Sequence, residues 1–187
     1  MLPAMGRAPA FEGMGEMKAG IFVAAALVAT FTAVQASDLP DYLAPLMKDV
    51  VAPQAQALWD AGNKGTDDEG NPDASKLDEK DWRSLLAAAR TVKEAATSLA
   101  GPARVIVGPP GMKLQDQDAP GAASAIAVQG YIDKEPKAFT ENARALASVA
   151  DLFIKAAETR DAALLADASD KMDGICETCH SRFWYPQ

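Results

Sequence analysis

Between Asp41 and Phe183 apolar residues recur at three- and four-residue steps in four separate segments, and no run of useful length alternates at every second position. That period matches one face of an α-helix and mismatches a strand, which confines the chain to the all-α class. The first segment, Asp41 to Ala61, sets Leu43, Leu46, Met47, Val50, Val51, Ala57 and Leu58 on an inner stripe. Pro45 falls in its first turn, where a missing N–H costs little. Pro53 falls inside it, removes a hydrogen bond to the carbonyl of Asp49 and predicts a kink. The second segment, about Glu79 to Ala100, carries Trp82, Leu85, Leu86, Ala89, Val92, Ala96 and Leu99 and stops at Gly101-Pro102. The third is clear from about Lys134 to Glu158, with Phe139, Leu146, Val149, Phe153 and Ala156 on one side. The stretch Ala122 to Gly130 before it is ambiguous between linker and an early helical turn. The fourth runs from Asp161, placed as a cap, to Phe183, with Leu164, Ala168, Met172, Ile175, Cys176 and Cys179 facing inward.

An acidic loop, Asn63 to Asp78, follows the first segment, and a linker with Pro102, Pro109, Pro110 and Pro120 follows the second. The connection between the third and fourth segments is so short that those two helices must be antiparallel neighbours. Four amphipathic helices joined in this way imply an antiparallel four-helix bundle.

The chain before these helices has a different character. Met17-Lys18 precedes a mostly apolar stretch, Ala19 to Ala36, which ends Val34-Gln35-Ala36 ahead of Ser37-Asp38. A basic start, an apolar middle and a small-x-small ending read as a secretory signal peptide cleaved after Ala36. The competing reading is an uncleaved membrane anchor, since the stretch lies at the short end of the roughly 17 to 25 residues that span a bilayer. Residues 1–36 are therefore assigned to a leader and signal peptide, and residues 37–187 to one domain destined for the periplasm. Residues 1–16 are explained either by an early start codon or by a long leader.

The net charge of −8 argues against nucleic acid, whose phosphates repel such a chain. It permits docking on a basic partner and serves solubility equally well. The chain has two cysteines and one histidine, and all three lie within five residues: Cys176-Glu177-Thr178-Cys179-His180. This CxxCH is the pattern of covalent c-type haem attachment. On a helix, side chains three and four residues apart share a face, so both sulfurs and the imidazole are presented together. Two thioether bonds to haem vinyl groups then form while a ring nitrogen of His180 reaches the iron. Three other readings compete. A CxxC disulfide or redox thiol pair needs no histidine and lacks its usual strand–helix–strand setting here. A structural zinc site wants four Cys or His ligands where the chain has three. An inert buried pair leaves the histidine and the export signal as coincidences.

A four-helix pattern with CxxCH in its last helix, followed at three residues by the aromatic Phe183, resembles the class II c-type cytochromes, the cytochrome c′ family. Cys176, Cys179, His180 and Phe183 carry the likeness, along with the spacing from Ala138 to Phe183. One departure is that Trp184 stands where the family often has a basic residue, with Arg182 on the other side of the aromatic. The resemblance implies a single covalent haem c with His180 as axial iron ligand. It also implies a role for Met47, because Leu46-Met47-Lys48 looks like the ligand region of the family's low-spin, methionine-ligated branch. Read without that likeness, Met47 is a core filler, as inner-face methionines usually are. Met172 lies one turn before Cys176 on the same helix, and Met112 lies in the proline-rich linker. Trp59 and Trp82 are candidates to pack on the porphyrin, against an alternative role in the core, and Phe183 to line the proximal pocket. Trp184, Tyr185 and Pro186 close the helix end.

Two functions follow. The first is one-electron transfer to redox partner proteins through a six-coordinate haem held by His180 and Met47. The second is a five-coordinate haem protein that binds nitric oxide or carbon monoxide beneath Met47 or Val51. An enzyme such as a peroxidase needs polar distal groups, which the first helix does not offer. The family likeness also allows a homodimer through the first two helices.

Overall fold

The computed structural model describes residues 39–101, 104–115 and 117–185, all within the unit Val34–Gln187. The leader and signal peptide assigned to residues 1–36 lie outside the described residues, as does Pro186. The described chain is all-helical. Helix α1 consists of three consecutive segments: α-helical Leu43–Pro45, π-helical Leu46–Val51 and α-helical Ala52–Lys64. Helices α2 to α5 span Glu79–Ala100, Ala125–Lys134, Pro136–Thr159 and Ala162–Phe183. Among the described residues there is no strand, only an isolated bridge between Thr66 and Pro72 in the acidic loop. No helix among them is long and apolar enough to cross a membrane.

Local chemistry sets these boundaries. Asp78 caps α2 by accepting from the backbone N–H groups of Lys80 and Asp81 at 2.7 and 2.9 Å, and Asp81 accepts in return from the Asp78 N–H at 2.8 Å. This reciprocal box satisfies donors that a helix start otherwise leaves free. Ser124 and Asp161 cap α3 and α5. The ambiguous stretch is thus resolved as a helix of its own. It breaks at Glu135 because the residue before a proline is driven out of the helical region, here to φ −130° and ψ 53°, and Pro136 opens α4. Arg160 joins α4 to α5 in the left-handed conformation at φ 53°.

The kink expected at Pro53 takes the form of a π turn placed just before it, in which the Ala52 N–H bonds the carbonyl of Met47 five residues back. The widened turn leaves Pro53 in the opening turn of the α-helical segment that follows, where its missing N–H is tolerated. It also changes the inner stripe. Leu43, Ala44, Leu46, Val51, Ala55 and Leu58 are buried, Met47 and Val50 are half-buried, and Ala57 is exposed. The expected placement of Met47 and Ala57 on the inner stripe is corrected accordingly. On α5, Leu165 rather than Leu164 is the fully buried leucine, and Ile175 stands at the edge. The expected stripes of α2 and α4 are buried apart from Leu86, which is half-buried.

Side-chain pairs fix how the helices run. Lys64 and Asp81, 2.7 Å apart, tie the end of α1 to the start of α2. Arg160 with Glu79, Arg90 with Glu158 and Lys93 with Asp151 set α4 antiparallel to α2. Arg182 with Glu135 sets α5 antiparallel to α4. Along α1 and α5, Gly62 approaches Ser169 so closely that a Cβ would stand 2.5 Å from its Oγ, and Gly65 faces Leu165. Exposed ion pairs of this kind add little stability and act here as markers of register. The stability comes from a core in which, among the described residues, no polar or charged side chain is buried. Phe153, Leu46, Leu58, Leu85, Leu165 and Met172 are its largest fully buried members.

Candidate functional site

The start of α1, the end of α2, the start of α4 and the end of α5 all meet at one end of the fold. The linker and α3 close over that end. The N–H groups of Leu43 and Ala44, which have no partner inside α1, donate to the carbonyls of Ile106 and Val107 at 2.9 Å. Gln129 of α3 holds the same linker by accepting from the Val107 N–H and donating to the Val105 carbonyl. The N–H of Ala123, just before α3, donates to the Trp184 carbonyl at 3.1 Å and fastens the last turn of α5.

Cys176, Cys179 and His180 lie on α5 between two fixed points. Met172, one turn earlier, is 1 % exposed and belongs to the core. Phe183, one turn later, is buried edge-on against Phe139 with ring centroids 5.6 Å apart. Arg182 pairs with Glu135 and stands 5.8 Å from the Phe183 ring, so this basic residue is engaged beside the aromatic rather than after it. α5 ends at Phe183, and the N–H groups of Trp184 and Tyr185 both return to the His180 carbonyl. The turn bearing the motif is therefore pinned at both ends.

Within that turn the two cysteines are free thiols, half-buried against the core. Burial, which disfavours the thiolate, raises both pKa values: that of Cys176 with a smaller push from Asp173, and that of Cys179 to about 11 with a smaller push from Cys176. His180 is an exposed residue whose ring stands edge-on to Tyr185 at 6.4 Å. Partial desolvation of the imidazole lowers its pKa and favours the neutral ring, the form that ligates a metal. Among the described residues no three His, Cys, Asp or Glu side chains converge to hold a metal ion. Porphyrin-bound iron asks less, because the macrocycle supplies four nitrogens and the protein one or two axial ligands. The donor set on α5 fits that demand: two neighbouring free thiols and one imidazole on a supported helix.

The other expected site residues divide. Both helices rise about 1.5 Å per residue. Counting up α1 and α5 from the Gly62–Ser169 approach sets Val51 and Ala52 level with Cys179 and His180, and Met47 level with Phe183 and Trp184. Met47 and the motif thus share one end of the fold, with Val51 the nearer in height. The same count sets Trp59, which is half-buried, level with Met172 and below the motif. Trp82 is 5 % exposed and part of the core. Met112 is committed within the linker, where its sulfur takes the space a Cβ on Gly108 would occupy.

Sequence reasoning missed the linker's part in closing this end. A cavity of about 310 Å³ is lined by Arg104, Asp133 and Phe139, and another of about 250 Å³ lies between the start of α1 and the end of α2. Arg104 borders both, and neither is lined by the motif. Comparisons of the chain with protein-family models, with curated proteins and with solved structures each return no significant match.

Proposed function

We propose that this protein is an exported c-type cytochrome, an antiparallel four-helix bundle of the cytochrome c′ kind. In this reading one haem is joined through thioethers to Cys176 and Cys179, with His180 as axial ligand. The observation that carries it is the chain's only histidine following its only two cysteines in CxxCH, with both thiols free on a turn held between Met172 and Phe183. Haem iron supplies reversible one-electron exchange between its ferrous and ferric states. The residues present the rest of what a carrier needs. Cys176 and Cys179 prevent loss of the cofactor, His180 fixes one axial position, and the Phe139–Phe183 pair and the apolar core keep the surroundings rigid and of low polarity. Met47 would hold the haem from the other side as sixth ligand, a rigid two-sided grip that would suit electron exchange with redox partner proteins of the periplasm. It is not an enzyme in this reading. Phe183 lines the proximal side, and a homodimer through α1 and α2 belongs to the same plan.

A second reading rests on the register of α1 against α5. Val51, level with His180, gives the iron an apolar face with no sixth ligand, which suits binding of nitric oxide or carbon monoxide. Mixing the reduced protein with carbon monoxide separates the two. A methionine-ligated carrier binds it slowly, limited by departure of Met47, and Met47→Ala accelerates it at least tenfold. Fast binding that Met47→Ala leaves unchanged removes Met47 from the iron and establishes the five-coordinate form.

A further inference from the structure

The π turn in α1 sits between the two groups that decide where Met47 points. Downstream, Val51, Ala55 and Leu58 are 3 %, 5 % and 0 % exposed and form the buried stripe. In an uninterrupted α-helix the residue that continues this stripe past Val51 is the one four positions back, Met47, while Leu46 is turned aside by about 100°. The protein has the opposite arrangement. Leu46 is 2 % exposed, Leu43 is 5 % exposed and Met47 is half-buried at the edge. The step from Val51 to Leu46 is five residues, which the five-residue hydrogen bond from the Ala52 N–H to the Met47 carbonyl accommodates. Leucine and methionine have nearly equal volumes, so packing alone distinguishes the two arrangements weakly. Pro53 distinguishes them strongly. Without the π turn it sits inside an α-helix, where its ring crowds the carbonyl of Asp49 and one hydrogen bond is lost, the most unfavourable placement a residue has in a helix.

We infer that Pro53 is a positioning residue: by enforcing the π turn Leu46–Val51 it puts Leu46 into the core in place of Met47 and leaves the Met47 thioether at the edge of the stripe, available to the haem iron. This inference rests on the reading of Met47 as sixth ligand. It adds that a residue six positions away, which touches neither haem nor iron, determines whether that ligand is presented. In Pro53→Ala the N–H returns, the helix becomes regular from Leu43 to Lys64, and Met47 rotates into the stripe that Leu46 vacates.

The test compares ferric electron paramagnetic resonance and visible spectra of the holoprotein with those of Met47→Ala, Pro53→Ala and the double variant, with helix content and unfolding midpoint measured alongside. The expected result is a low-spin wild type, high-spin spectra for all three variants, and no additional spectral change in the double variant over Met47→Ala. Helix content and unfolding midpoint of Pro53→Ala stay equal to those of the wild type or rise, which excludes general damage as the cause. A low-spin, methionine-ligated spectrum in Pro53→Ala overturns the inference and leaves the ligand assignment standing. An unchanged spectrum in Met47→Ala overturns the ligand assignment itself, and the inference falls with it. Loss of helix content in Pro53→Ala also counts against it, because the mechanism requires the helix to become more regular.

Discussion

In the haem protein proposed above, replacing His180 by alanine leaves the porphyrin attached and strips the iron of its only imidazole. The mass of the denatured variant stays that of chain plus one haem less the histidine side-chain difference, because the proposed attachment runs through Cys176 and Cys179 and not through residue 180. The absorption and paramagnetic resonance spectra change completely, because no other histidine exists in the chain to take over the position. The exposure of residue 180 leaves a route for small molecules, so added imidazole restores a histidine-like spectrum. A variant indistinguishable from wild type removes His180 from the iron, and loss of haem mass in the variant contradicts the division of labour between thiols and imidazole.

Truncation of Phe153 to alanine lowers the stability of the folded protein by about 3–5 kcal/mol, the cost of a large cavity in a core that relaxes only in part. Phe153 is fully buried on the inner face of α4, among the described residues no polar or charged side chain is buried, and neither cavity is lined by it. Against a usual total of about 5–15 kcal/mol the loss is a large share. It appears as a lower midpoint in chemical denaturation with little change of slope. Ile126, 84 % exposed on α3, provides the contrast, since its truncation removes little buried area and moves the midpoint hardly at all. A Phe153→Ala midpoint equal to that of Ile126→Ala contradicts the packing described.

The parts of the fold that were legible in the sequence are those governed by local rules. Helix α2 spans Glu79–Ala100, as its apolar period and Gly101 predict, and α5 begins after Asp161 and ends at Phe183 as predicted. The helical setting of Cys176 and Cys179 was legible in the same way, and both thiols lie on α5 one turn apart. What was hidden depends on competition between residues or on distant partners. At Leu46 and Met47 two similar apolar residues offered two continuations of one stripe, and the proline that chooses between them lies six residues away. The bonds from Leu43 and Ala44 to the linker, and from Ala123 to Trp184, join segments far apart in the chain, and no local pattern announces them. Residues 122–130 had the composition of a loop and the apolarity of a helix, and the outcome turned on Ser124 as a cap and Pro136 as a break.

The most direct test of the account is the mass of the mature wild-type chain, made in cells that have a working haem-attachment pathway and measured after complete denaturation. The account requires the mass of the polypeptide plus one haem, with the colour travelling with the protein through denaturation. A colourless product with the mass of the bare chain contradicts it.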